Sequence, residues 1–399
     1  MRKRWKQLNE KYPVPKLVEK QVKGQRKIKP LNSPPNWFAE KLENHQCLVM
    51  LDGLDEVADE TERKRVSRWV DEQMQAYPDT PFILTSRPFG YESAQLQQAA
   101  ITLEVKPFNL KQMKQFLQSW YLQIEIMSRA GEDDLGVREE AIQQADDLIE
   151  RILNSKPLCD MAVNPLLLTM IATVHRRGSA LPGKRVELYK EICHVLLEKR
   201  QRAKFRNSED LNDPLTAAQK QSVLQVLALR LMQSKVREFQ ISQAASLIRE
   251  QLSLVAGGSV TSGKFLEKIK DVSGLLIEKE IGIYEFAHLS FQEYLAAVQI
   301  EALNQEKLLI QNIRNPWWAE TIRLYVANND ATQIIGAAMN KSKRTIFTLT
   351  LAYDCLDEKL SINPKLQEKM EEWYEEALES SDPKIARVAA SVQLKRRLR

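Results

Sequence analysis

The sequence predicts an α/β segment followed by a mostly α-helical chain, and three observations carry that prediction. Two short, uniformly apolar runs, CLVML at 47–51 and PFILTS ending at 86, flank a stretch with helical spacing, the pattern of a β-α-β unit. Beyond Pro107 the apolar residues recur at helical intervals instead. Near 264–299 the order is helix, GLLIEKE, Gly282, IYEFA, helix, which sets a β-hairpin between two helices.

Composition bounds the rest. With 399 residues, 43% hydrophobic and 28% charged, the chain fits two or three globular domains rather than a disordered or collagen-like polymer. Cys47, Cys159, Cys193 and Cys355 form no CxxC pair, which excludes a zinc ribbon or a secreted cystine framework and makes the cytoplasm the expected location. The most apolar stretch, Leu166 to Val174, is far short of the roughly 18 residues of a spanning helix, so neither a membrane span nor a secretory signal is expected. Charge is unevenly placed: residues 1–30 carry a net +9 and the last sixteen +6, leaving about −10 for the residues between. Basic ends can hold nucleic acid, but they are more often solvated tails, so nucleic acid is not the expected partner.

Residues 1–36, Lys-rich with Pro13, Pro15, Pro30, Pro34 and Pro35, read as a basic arm or remnant without regular structure. CLVML, stopped by Asp52-Gly53, reads as a strand buried on both faces. A helix begins near Asp59, with Glu62 as its capping partner, and aligns Val66, Trp69, Val70 and Met74. PFILTS is the second strand and ITLEV at 101–105 a third, giving a small α/β domain over 37–108. Met113, Phe116, Leu117, Trp120, Tyr121 and Ile124 make one helical stripe; further helices at 138–156 and 165–175 complete a helical domain over 109–178. Helices near 184–203 and 216–234 lead into the hairpin of a winged-helix-like domain, 179–300, and short helices fill 301–399. His45, His175 and His194 lack metal spacing and read as structural, and Trp317-Trp318 as a packing anchor.

The chemistry concentrates in LVMLDGLDE, 48–56, and ILTSRP, 83–88, both at strand C-terminal ends, the edge of an open α/β sheet where ligands bind. Asp52 on a rigid apolar strand is the hard oxygen ligand that Mg²⁺ takes, with Gly53 leaving room for the ion's shell. Asp55 and Glu56 add carboxylates suited to orienting a water, and Arg87 is placed to meet a terminal phosphate. The plain alternative is a solvated acidic turn with Arg87 as a local ion-pair partner. Two glycine loops, Gly178 to Lys184 and Gly258 to Lys264, fit GxxxxGK, but Arg185 and Phe265 stand where a Ser or Thr belongs. The second reads instead as a turn with Thr261 or Ser262 capping the next helix.

LVMLDGLDEV, ILTSRP, NPLLLTM at 164–170 and FAHLSFQEYLAA at 286–297 together resemble the NACHT-family signal-transduction NTPases of the STAND class, most of all the bacterial, cyanobacterial-type branch, over roughly residues 37–330. The resemblance implies a P-loop NTPase parallel sheet, truncated here, followed by a helical domain, a winged helix and C-terminal helices. It implies Mg²⁺ and ATP or ADP as cofactors, ATP hydrolysis, and nucleotide-controlled oligomerisation. Asp52 would hold the metal, Asp55 and Glu56 supply the water-orienting carboxylate, Arg87 sense the γ-phosphate, Pro165 pack near the adenine, and His288 contact the β-phosphate of ADP. His288 precedes a helix for which Ser290 and Glu293 have capping-box spacing.

A complete module of that family opens with a GxxxxGK[ST] loop upstream of the acidic strand. No GK[ST] occurs in the chain, and the only glycine before Asp52 is Gly24. Without that loop the phosphates lose their main cradle, and the missing strand leaves sheet edges open. The expectation is a nucleotide switch completed by self-association or by a P-loop-bearing partner chain, with a non-hydrolysing signalling remnant as the alternative and a DNA-binding winged helix as a weaker third. The basic arm, standing where strand and loop belong, reads as a truncation scar.

Overall fold

The computed structural model of the chain describes residues 13–24, 34–57, 59–98, 100–199, 215–280, 282–340, 345–358, 363–380, 383, 385–386 and 389–390. Most of the basic arm and the basic end from 391 lie outside the described residues. These residues are mostly helical, with two small sheets.

The chain opens with α1 (Val14–Gly24), α2 (Trp37–Glu43), β1 (Val49–Leu51), a 3-10 turn (Leu54–Glu56), α3 (Glu60–Ala76), β2 (Phe82–Leu84) and α4 (Pro88–Glu92). There follow α5 (Leu110–Ser128), α6 (Leu135–Leu153), α7 (Lys156–Ala162), α8 (Pro165–Arg176), α9 (Arg185–His194) and a π turn (Val195–Lys199). Next come α10 (Ala217–Gln233), β3 (Phe239–Gln240), α11 (Ile241–Ala256), α12 (Ser262–Lys268), β4 (Leu276–Glu280), β5 (Ile283–Phe286) and α13 (Leu289–Ala302). The chain closes with α14 (Glu306–Gln311), a 3-10 turn (Pro316–Trp318), α15 (Ala319–Val326), α16 (Thr332–Met339), α17 (Ile346–Glu358) and α18 (Pro364–Leu378). Two compact units result, one of residues 1–101, 222–270 and 276–399, the other of 102–221 and 271–275.

In the first unit β1 and β2 pair in parallel, Val49 opposite Phe82 and Leu51 opposite Leu84. One face packs on α3: Val49 joins Val14, Leu42, Trp69 and Val70 in a core with Leu51 and Phe82 beside it, and Leu84 packs with Leu54, Val57 and Val66. Asp59 caps α3 as expected, accepting from the Glu62 amide at 3.0 Å. Three expectations fail here. Helix α1 lies inside the stretch read as irregular, anchored by buried Val14, whose N–H donates to Gln73 Oε1 at 2.9 Å. Nor is CLVML buried on both faces: Leu48, Met50 and Ile83 are exposed, Met50 by 68%. ITLEV, moreover, forms no strand, and its Ile101 is 89% exposed. Apolar residues acquire strand structure only where a neighbouring backbone accepts their hydrogen bonds, and ITLEV has none among the described residues, where the sheet has two strands, not three.

The second sheet is antiparallel, ordered β3-β5-β4, with Phe239 opposite Tyr284 and Leu276 opposite Phe286. Strand β3, two residues long, was below what periodicity can register. The sheet buries Phe239, Leu276, Tyr284 and Phe286, and α13 buries every residue from Leu289 to Ala297. The loop Gly258 to Lys264 follows helix α11 rather than a strand, which removes any likeness to a phosphate loop; Thr261 stands at the N-cap of α12 but makes no side-chain bond there. Trp317 and Trp318 are buried anchors, and the Trp317 indole donates to the Met232 carbonyl at 3.1 Å.

In the second unit α5 begins with a full capping box, Asn109 with Gln112. Helix α6 stops at Leu153, and a separate α7 starts with Pro157 in its first turn, where one helix to 156 was expected. His175 is structural, its Nδ1 2.6 Å from Tyr121 OH and its Nε2 2.6 Å from Asp147.

Candidate functional site

The ends of β1 and β2 are stitched into one edge. Thr85 N–H donates to Leu51 O and Leu54 N–H to Thr85 O, both at 2.9 Å, while the Thr85 hydroxyl donates to Asp52 Oδ1 and accepts from Gly53 N–H. Asp52 is exposed, with one carboxylate oxygen held in place. Gly53 turns the chain at φ 74°, and a Cβ there would fall 2.7 Å from the Glu56 carboxyl carbon. The space that a side chain on Gly53 would take is therefore occupied by Glu56.

Arg87 is not on β2 but three residues beyond it, at the N-cap of α4. Its backbone N–H donates to Asp55 Oδ1 at 3.0 Å, and its Nε lies 3.5 Å from Asp55 Oδ2. The turns are pressed together: a Cβ on Gly90 would stand 2.3 Å from that of Asp55. Buried Arg63 braces the acidic turn, donating to Val57 O and Ser93 Oγ. Burial lowers its pKa, with Asp55, Glu60 and Asp59 opposing that shift.

Residues far along the chain complete the site. Arg87 Nη1 donates to Glu293 Oε1 at 2.9 Å. Glu293, on α13, has a side chain only 2% exposed, and its Oε2 has no hydrogen-bond partner among the described residues. Ser290 and Glu293 do not form the expected capping box; His288 caps α13, its Nδ1 accepting from the Ser290 amide at 3.2 Å. Burial raises the Glu293 pKa to about 7 against the pull of Arg87, the desolvation of a carboxylate exceeding what one arginine returns. The same pair holds Arg87 more firmly protonated than usual. Glu56 is held by Arg237, which also sits 3.0 Å from Glu285 on β5. His288 is kept neutral, its pKa brought down to about 4 by burial and then by Arg87 and Arg237, so the proton of the ring belongs on Nε2.

The structure thus brings Asp52, Asp55, Glu56, Arg87 and His288 into one unit, and Glu293, Arg237 and Thr85 join them without having been foreseen. Pro165 is in the other unit, where it is the exposed first residue of α8 behind the Asn164 cap. A cavity of about 210 Å³ is lined by Asp55, Arg87, Glu293, Trp317, Glu320 and Arg323. It is below the roughly 300–1,000 Å³ of small-molecule pockets.

No group of three or more metal-ligating side chains exists among the described residues. A lone, exposed, hydroxyl-supported carboxylate such as Asp52 nonetheless suits Mg²⁺, which keeps most of its waters and is brought by phosphates. No helix among the described residues is long and apolar enough to cross a membrane.

The strands β3 to β5 with the helices around them define a winged-helix segment. Residues 185–300 match the family model described as the winged helix-turn-helix domain C-terminal to NACHT, which supports a relationship to the NACHT family. No curated protein sequence matches the chain.

Proposed function

We propose that the chain carries the acidic strand, the phosphate-sensing arginine and the winged helix of a NACHT-type, nucleotide-dependent signalling switch. In it, exchange of ADP for ATP releases the winged helix and permits self-association. One observation carries the reading: Asp52, Asp55 and Arg87 converge at the C-terminal ends of adjacent parallel strands, in the same unit as residues 222–270 and 276–300 of the segment that matches a NACHT-associated winged helix. Asp52 would hold Mg²⁺, which when bound supplies charge neutralisation for the phosphates. Arg87 donates to the terminal phosphate, Glu56 accepts a proton from the attacking water, and the Nε2–H of His288 donates to a diphosphate. Since no GK[ST] occurs in the 399 residues, the phosphate cradle comes from another polypeptide segment, and this chain by itself binds ATP weakly. Equilibrium binding of ATP with and without Mg²⁺ tests this: Mg²⁺-dependent binding lost in Asp52→Ala is expected. A second reading, a non-hydrolysing interaction module, is favoured by the engagement of both Glu56 and Arg87. Binding that is absent at saturating ATP, or indifferent to Asp52, selects it.

A further inference from the structure

Two of the residues placed in the nucleotide machinery already have partners of opposite charge from the winged-helix segment. The cation Arg87 holds the carboxylate of Glu293 on α13. The anion Glu56 holds the guanidinium of Arg237, just before β3. The two pairs run in opposite senses, one residue of each sign reaching out from the winged-helix segment and one from the acidic edge. Each pair is neutral by itself, and both join the acidic edge to the winged-helix segment.

We infer that the winged-helix segment closes the acidic edge with substitute charges, Glu293 standing in for the terminal phosphate at Arg87 and Arg237 for the cationic face of the metal–nucleotide at Glu56. This rests on the nucleotide reading of the same edge. An anion reaching Arg87 must displace Glu293, and a hydrated Mg²⁺ drawn to the carboxylates competes with Arg237. Binding of a terminal phosphate at Arg87 and closure therefore oppose each other, each weakening the other by the same factor. The site also has a route for exchange: Arg87 is 44% exposed, and the cavity beside the Arg87–Glu293 pair admits water. Glu293 is the natural release point, because one oxygen of its buried carboxylate has no hydrogen-bond partner among the described residues and gains by reaching water.

Hydrogen–deuterium exchange on the full chain tests the inference with Arg237→Gln, Glu293→Gln and the double variant. Without nucleotide, amides of 54–57 and 289–293 should exchange about 5-fold faster or more in the double variant, while those of α15 and of the second unit keep the wild-type rate. Wild-type rates at both sites would overturn the inference. Should the neutral variants fail to fold, Arg237→Lys and Glu293→Asp are measured instead; they keep the charges with altered reach, a smaller acceleration at the same amides is expected, and its absence counts equally against closure by charge. Adding Mg·ATP separates the two readings. Protection of 52–57 at roughly 10-fold lower ATP in the double variant, a shift of about 1.4 kcal/mol, supports both. Faster exchange with no Mg·ATP protection in any variant removes the nucleotide reading and leaves the closure supported.

Discussion

The two sheets of the first unit are both small, yet they are finished differently. The antiparallel sheet β3-β5-β4 has Phe239, Leu276, Tyr284 and Phe286 buried and is backed by α13, a helix interior on nearly every side. The parallel pair β1-β2 is covered on one face by α3 and bare on the other, where Leu48, Met50 and Ile83 meet solvent. Parallel strands are normally covered on both faces. The winged-helix segment is thus self-sufficient in its packing, whereas the acidic edge is a one-sided layer that gains its remaining order from charges reaching it from that segment.

If that contrast is right, substitutions should rank accordingly. Phe286→Ala, at a fully buried site, should lose about 3–5 kcal/mol in chemical denaturation. A loss below about 1 kcal/mol would mean that the wing is not the firm part.

The pH dependence comes next. Glu293 is raised from 4.5 to about 7, so the unfolded chain loses that proton first and stability falls as pH rises across this window. His288 is lowered from 6.5 to about 4, so its contribution runs the other way and is lost as pH falls below 6.5. Between pH 4.5 and 6.5 the two oppose each other in the wild type. In Glu293→Gln only the histidine remains, and stability should rise with pH over this range by up to about 1.4 kcal/mol per pH unit. Denaturation midpoints at three pH values decide it; an unchanged profile contradicts the burial of Glu293.

A smaller effect is expected at the tight turn. Gly90→Ala places a methyl group against Asp55 and should cost about 1–3 kcal/mol, with Arg87 displaced from Asp55. Smallest of all, Met50→Ser should change stability by no more than about 0.5 kcal/mol, while lowering self-association in sedimentation if the bare face is sticky. A large loss there would show that the face is covered in solution.

Much of this was legible in local residues, and the failures have a common cause. The strands at 49–51 and 82–84, the Asp59 cap and the wing hairpin announce themselves through spacing and through polar stops within a few residues. The bare face of CLVML did not, because burial of a face is decided by what packs on it, and a uniformly apolar run is equally consistent with a covered and an uncovered layer. ITLEV has strand composition but no strand beside it among the described residues. Glu293 carries the spacing of a capping residue, and only a partner 206 positions away explains why it turns inward. Arg237, one basic residue in a polar stretch, left no local signal at all. His288 was singled out through a family resemblance; its position beside Arg87 and Arg237 adds an electrostatic reason for attention.

The most direct test of charge-based closure is a double-mutant cycle on Arg87 and Glu293, with Arg87→Gln, Glu293→Gln and both together, followed by chemical denaturation. A favourable coupling of at least about 1 kcal/mol is the expected result, since the residues are in direct contact. Additivity within about 0.5 kcal/mol would contradict it and reduce the contact to incidental proximity.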